Sequence, residues 1–319
     1  MHSVKVGIVG LGHLAQYTHI PSLLSIDDVE ITAACDINEN LLRKVGLQYR
    51  ISSLYSNYVE MAEKSDVDAV FVLTKPHETH PVIASLFLEN GKDVFCEKPM
   101  AMKLSDAEHM VKTAKKHGRI LMIGFNRRYM PIFQRVKEKL KEDSKVEMVL
   151  SEVTSFVPSL RALFTGWIHS VDILRWFCGE PMKVQGSAKY KNPLYEECIV
   201  SIINFDSGAC GVLLCNFNAG KYQERVEIHG EGLSVNINLP QTAEIVKGTK
   251  SYYEPILSTV FTMSPWTELT EKMGFKPQDS HFIECVKSGE KPATSGEDAL
   301  NSHKLVNLIY RECGLPTLE

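Results

Sequence analysis

Short apolar runs rich in β-branched residues punctuate the first part of the chain: VKVGIVG at 4–10, VEITAAC at 29–35, DAVFVLT at 68–74, DVFC at 93–96 and RILMIG at 119–124. Runs of this length between turn residues predict strands. Between them, apolar positions recur at helical spacing. The plainest case is 105–117, where Ala107, Met110, Val111 and Ala114 share a face and Gly118 follows as a C-terminal cap. Ser105 and Glu108 have the S-x-x-E spacing of a capping box at its start. Strand and helix signals in alternation predict a parallel sheet covered on both faces.

After residue 124 the pattern changes. GFNRRYMPIFQRVKEKLKED reads as a helix with a charged outer face, and strands then predominate. ECIVSIINF and ACGVLLCNF flank Asp206-Ser207-Gly208, and RVEIHG and LSVNINL flank Glu231-Gly232, so both pairs read as hairpins. Residues 248–280 are polar-aromatic and irregular, the pattern of a flexible loop over a site. A last helix near 298–313 places Val306, Ile309, Tyr310 and Cys313 at helical spacing.

A length of 319 residues accommodates two domains. The change of pattern divides them at 1–123 and 124–319, with the last helix free to pack back on the first. The fold class is α/β: a doubly wound parallel sheet, then a domain with a large open, mostly antiparallel sheet. A net charge of −4 leaves no electrostatic footprint for nucleic acid or an anionic membrane surface. No apolar run is long enough to span a bilayer, and the N-terminus enters a strand at once rather than an apolar leader. The eight cysteines are scattered and form no CxxC pair, as in a reduced cytoplasmic protein.

Gly10-Leu11-Gly12-His13-Leu14-Ala15 is a G-x-G-x-x-A pattern at the end of the first strand and the start of a helix. In that setting Gly10 permits the tight turn, Gly12 admits a pyrophosphate against the backbone, and Ala15 lets the helix sit close to the sheet. The amides of the helix start, with His13 and Leu14, complete the cradle. Asp36, at the end of the second strand, accepts hydrogen bonds from ribose hydroxyls and repels a 2′-phosphate, so NAD is expected over NADP. A lysine, Lys98, stands in FCEKPMA at another strand end, where ligands of open α/β sheets bind. Arg127 and its neighbours Asn126 and Arg128 follow a further strand end, placed either to orient a substrate or to pair with acidic side chains. His77-Glu78-Thr79-His80 is not a zinc motif, because its histidines are three apart rather than four and follow Pro76. No metal is expected.

Taken together, these motifs resemble the Gfo/Idh/MocA family of oxidoreductases. GLGHLA, Asp36, KPHETH (75–80), EKP (97–99), GFNRR (124–128), HSVD (169–172), HGEGLSV (229–235) and HFIECVKSGEKPATSGEDAL (281–300) carry the likeness over nearly the whole chain. GFNRRYMP and the terminal segment are most similar to MviM-like members. The resemblance implies a Rossmann domain followed by an α/β domain whose open sheet serves association, hence a homodimer or larger homo-oligomer. It implies that Thr74, Pro76, His80 and Glu97 border the cofactor. It also implies a Lys98–Pro99 bond that is often cis, with Lys98 beside the nicotinamide and against the substrate hydroxyl. Burial and a nearby nicotinamide cation disfavour an ammonium, which suits Lys98 to take up an alcohol proton.

In FTGWIHSVD the resemblance makes His169 a second group at the substrate hydroxyl and Asp172, one helical turn on, its orienting carboxylate. Active relatives carry an aspartate four residues before that histidine; here the position is Thr165. A threonine hydrogen-bonds a hydroxyl but accepts no proton at neutral pH, and Trp167 adds an apolar wall. The expected activity is hydride transfer between nicotinamide and a secondary alcohol or ketone of a sugar, polyol or similar small molecule. Lys98, His169 and Thr165 are the expected catalytic set, with no nucleic-acid or membrane partner. The rival readings are a non-catalytic dinucleotide sensor and a redox-neutral lyase or glycosidase that uses NAD transiently.

Overall fold

A computed structural model describes residues 3–143, 145–156, 159–240, 242–248, 257–263 and 268–319. The chain divides into two compact units. One comprises residues up to Asn126 with Phe275–Leu300 and Glu319, and the other Arg127–Gly274 with Asn301–Leu318. The first unit is therefore not one continuous stretch of chain. It recruits a segment from far downstream, and the last helix, Gly296–Glu312, contributes residues to both units.

Six parallel strands form the sheet of the first unit: β1 (Val4–Val9), β2 (Val29–Cys35), β3 (Ser53–Tyr55), β4 (Ala69–Val72), β5 (Asp93–Cys96) and β6 (Leu121–Ile123). Their order is β3-β2-β1-β4-β5-β6, so the chain reverses direction across the sheet between β1 and β4. That is the doubly wound Rossmann arrangement, in which ligands bind beyond the strand ends at the reversal. The short β3 escaped the sequence pattern because its three residues alternate with solvent rather than form an apolar run. The helix expected at 105–117 spans Leu104–His117 and ends at Gly118 with φ 60°. Its start differs from expectation: Lys103 is the N-cap and no side chain caps it. Ser105 already lies inside the first turn, two positions past the N-cap that a capping box requires.

In the second unit eight strands form one sheet: β7 (Val146–Thr154), β8 (Pro181–Asn192), β9 (Tyr195–Phe205), β10 (Cys210–Asn216), β11 (Gln223–Gly230), β12 (Leu233–Asn238), β13 (Thr242–Lys247) and β14 (Leu257–Thr262). The order is β14-β13-β12-β11-β7-β10-β9-β8, and only β7 and β10 run parallel. Both expected hairpins form, β9–β10 and β11–β12, with Gly208 and Gly232 at positive φ in their turns. The helix Ile168–Cys178 covers one face, burying Ile168, Val171, Leu174 and Phe177. The described residues within 248–280 are not the loop the composition suggested. They include β14, paired with β13, and the start of the helix Phe275–Ser288; 249–256 and 264–267 lie outside the described residues. The run LSTVFT that forms β14 has no clear apolar alternation, so it does not stand out from its polar neighbours. Among the described residues, no helix is long and apolar enough to cross a membrane.

Candidate active site

The glycine turn leaves β1 through Gly10, at φ 93°. A side chain there would be strained, and its Cβ would stand 2.9 Å from the backbone of Leu73. Gly12 is the opposite case. A Cβ at Gly12 meets no atom within 4 Å, so the space above this residue is open. The two glycines therefore do different work: Gly10 lets the turn press against the loop after β4, and Gly12 keeps a backbone surface bare. His13 is exposed and stacks on Tyr17, with ring centroids 4.3 Å apart, while Leu14 is half-buried. Ala15 is fully buried at the start of a π-helical turn, Ala15–His19.

Asp36 closes the turn from the end of β2. Its Oδ2 accepts the Leu11 amide at 2.8 Å and its Oδ1 accepts the Asn38 amide at 2.8 Å. The carboxylate thus holds the glycine turn and the next loop together, and each oxygen keeps further lone-pair capacity.

Two loops follow β4 and β5, and each contains a cis proline bond, Lys75–Pro76 and Lys98–Pro99. His80, fully buried, joins them: Nε2 lies 2.8 Å from the Thr74 carbonyl and Nδ1 2.9 Å from the Pro99 carbonyl. Thr74 and Thr79 share a hydroxyl hydrogen bond, and Thr79 also donates to the Pro76 carbonyl. A continuous set of contacts therefore runs from Gly10 through Leu73 and Thr74 to His80 and on to Pro99. This fastens the glycine turn to the loop that carries Lys98. Burial, and then the neighbouring His80, Lys98 and Lys75 side chains, push the His77 imidazole down to about 4. His77 is neutral at physiological pH.

Lys98 itself is half-buried. Its amide donates to Oε2 of Glu97 at 3.1 Å. Glu97 turns inward rather than toward solvent, and a Cβ at Gly124 would collide with its Oε1 at 2.5 Å. Burial pushes the Glu97 carboxyl up, but His19 and then Lys98 outweigh it and hold the group below the usual carboxylate range.

In the second unit, His169 is buried near the start of its helix. With Arg127, Ser151 and Glu224 it lines a cavity of about 10 Å³, roughly the least that holds one water. Asp172 does not reach back to it. Both carboxylate oxygens are taken by Arg128, at 2.7 and 2.6 Å, and Ser302 donates to Oδ1 at 2.7 Å. Asp172 is fully buried, so a bidentate arginine is the partner that its charge requires. Arg127 makes the equivalent fork onto Glu224, at 2.9 and 2.6 Å, and the Tyr222 hydroxyl donates to the same carboxylate. Of the two alternatives left open for the arginines, the structure displays acidic pairing for both. Thr165 directs its hydroxyl at the carbonyls of Leu160 and Arg161, at 3.0 and 3.1 Å. Trp167, half-buried, packs on Tyr222 with centroids 5.4 Å apart.

Sequence reasoning missed His19, Asp279 and Glu224, all buried. Each left a trace. Glu224 shares its strand face with the buried Val226 and Ile228. His19 follows Ala15 by four residues and precedes Leu23 by four. Asp279 precedes the buried Phe282 and Ile283 by three and four. A charge on an apolar face announces a buried partner.

Residues 4–125 match an oxidoreductase family with an NAD-binding Rossmann fold, GFO_IDH_MocA, and residues 158–236 match the GFO/IDH/MocA C-terminal domain. The chain belongs to the Gfo/Idh/MocA family. It is 28% identical to myo-inositol 2-dehydrogenase of Thermotoga maritima, over 92% of both chains. It is 25% identical to D-apiose dehydrogenase of Paraburkholderia graminis, over 96% of this chain and 86% of that one. Among solved structures, the MviM dehydrogenase of Clostridium difficile superposes with a TM-score of 0.84 at 24% identity, covering 97% and 99% of the chains. An Agrobacterium radiobacter oxidoreductase in complex with NAD+, L-tartaric acid and magnesium has the same fold, with a TM-score of 0.85 at 20% identity over 98% and 96%. Family membership makes the chain an NAD-binding oxidoreductase. The open backbone at Gly12, the clamped turn at Gly10 and the carboxylate of Asp36 fit such a cofactor.

Proposed function

We propose that the protein is a dehydrogenase acting on a secondary alcohol of a sugar, polyol or similar small molecule, with Lys98 as its principal acid–base group. The observation that carries this reading is the run of contacts from Gly10 to Pro99, which ties a dinucleotide cradle to a half-buried lysine at the end of β5. The names of relatives such as the inositol and apiose dehydrogenases support the substrate class. NAD, when bound, would supply the hydride acceptor. Gly10, Gly12, His13 and Leu14 would hold its pyrophosphate, and Asp36 its ribose. With a carboxylate at that position and no arginine beside it in the sequence, NAD is preferred to NADP. Thr74, Pro76, His80 and Glu97 shape the cofactor side of the site.

Lys98 accepts the hydroxyl proton at Nζ during oxidation and returns it during reduction. His169 assists at the substrate hydroxyl. Thr165, whose proton is committed to backbone carbonyls, serves as an acceptor of hydrogen bonds there and moves no proton. Trp167 supplies an apolar wall. Arg127 and Asp172 act indirectly, by holding the helix and strand around His169 in place. We further assign the protein to the cytoplasm and to a homodimer or larger assembly, with small molecules rather than nucleic acid as partners.

The test is nicotinamide absorbance on mixing the protein with NAD or NADH and a panel of polyols, sugars and sugar acids, beside Lys98→Ala. Turnover lost in the variant supports the reading. Cofactor binding without turnover on any member would overturn it in favour of a sensor. Substrate converted with no net nicotinamide change would point instead to redox-neutral chemistry.

A further inference from the structure

Three titratable side chains meet in the interior of the first unit from three distant places in sequence. His19 ends the π-helical turn after the glycine cradle, Glu97 follows β5, and Asp279 lies in the helix Phe275–Ser288. His19 and Asp279 are fully buried and Glu97 is 7% exposed. His19 Nδ1 lies 3.0 and 3.1 Å from the two oxygens of Asp279, and Nε2 lies 3.4 Å from Oε1 of Glu97. The remaining walls are aromatic: Phe71 and Phe95 from the sheet and Phe275 from the helix stand within 5.3–5.7 Å of the His19 ring. Phe282 packs on both sheet phenylalanines. Besides the carboxylates, polar side chains near this cluster include the fully buried Gln278, next to Asp279 in the helix, and Lys98 and His77, which interact electrostatically with Glu97.

An imidazole between two carboxylates in an apolar box has one comfortable state, the cation with both nitrogens protonated. Burial would push His19 down, but Asp279 and Glu97 outweigh it and hold it up at about 10. Nothing in the acid–base chemistry assigned to Lys98 requires this cluster. Yet Glu97 precedes Lys98 directly and accepts its amide.

We propose that His19 and Asp279 are positioning residues for Lys98: they keep the Glu97 carboxylate ionised and fixed, and Glu97 in turn clamps the lysine's backbone and sets one negative charge beside its ammonium. The physical reason is that a buried carboxylate without a cation takes up a proton. Without His19, Glu97 and Asp279 would both be neutral acids, and the lysine would lose its neighbouring charge. Gly124 belongs to the same device, because any side chain there displaces Glu97 Oε1. This proposal rests on the reading of Lys98 as the acid–base group.

The experiment needs no substrate. Trace reductive methylation of the cofactor-free protein, followed across pH by mass spectrometry of the Lys98 peptide, reports where that amine loses its proton. Glu97→Gln and His19→Gln are each expected to move the midpoint to lower pH by about one unit. The double variant is expected to match either single one, because His19 acts through Glu97. A midpoint unmoved in His19→Gln, or shifts that add in the double variant, would overturn the proposal. If His19→Gln fails to fold, nitrogen-15 imidazole spectra of the wild type decide. One fully protonated histidine whose shifts do not change between pH 6 and 9 is expected, and its absence sinks the idea. Loss of the acid–base reading itself would show separately, as turnover that survives Lys98→Ala.

Discussion

The two units solve the problem of buried charge in different ways. In the second unit two buried carboxylates are each matched by an arginine fork, Asp172 by Arg128 and Glu224 by Arg127. A guanidinium does not lose its proton in the physiological range, so these pairs are fixed supports. In the first unit a single histidine serves two carboxylates, Glu97 and Asp279. That cluster is titratable, and it abuts the loop that carries Lys98. Permanent pairs brace a scaffold, whereas on the proposal above a cluster that depends on one proton sets the charge beside Lys98.

The largest effect should come from breaking a permanent pair. Asp172→Ala removes the carboxylate that both arms of the buried Arg128 grip, at a cost of about 3–5 kcal/mol, read as a lowered urea midpoint with the slope unchanged. A loss below about 1 kcal/mol would mean that water reaches the pair. Lys98→Ala should do the reverse, leaving the urea midpoint in place while turnover falls by roughly 10²–10⁴.

The histidine cluster adds a pH dependence that the arginine pairs lack. His19 titrates at 6.5 when unfolded and at about 10 when folded, so its contribution is complete below pH 6.5 and lost as pH rises through 10. The loss is on the order of 5 kcal/mol. Chemical denaturation from pH 6.5 to 10 should show a decline in the wild type that is absent from His19→Gln. Parallel curves for the two proteins would refute the assignment of the cation to His19.

The smallest effect distinguishes the two glycines. Gly10→Ala forces a side chain to φ 93° against the Leu73 backbone and should cost about 1–3 kcal/mol. Gly12→Ala meets open space, so its urea midpoint should not move. NAD affinity, measured by calorimetry, should still fall in Gly12→Ala, because a methyl group now occupies the bare surface. Equal affinities would place the pyrophosphate elsewhere.

Much of the first unit was legible in the chain. Five of its six strands, the glycine turn and the EKP lysine follow from local apolar runs and motif spacing, as do the hairpins of the second unit. The capping box failed because spacing alone does not locate the first helical residue. Asp172 failed in a more instructive way. One helical turn from His169 it shares a helix face, and helix geometry permits the pair. Arg128, more than forty residues upstream, offers a bidentate partner to a fully buried carboxylate, and that partner wins.

Periodicity and motif spacing were thus enough to establish an α/β chain with a dinucleotide turn and a lysine at a strand end, because these depend on neighbours within a few residues. Which charges meet in the interior depends on contacts across the fold. His19 and Asp279 are 260 residues apart, and no local pattern brings them together. Packing of the downstream helix onto the first unit removes both from water. Once they are dry, the cost of an unpaired charge dictates that they bind each other.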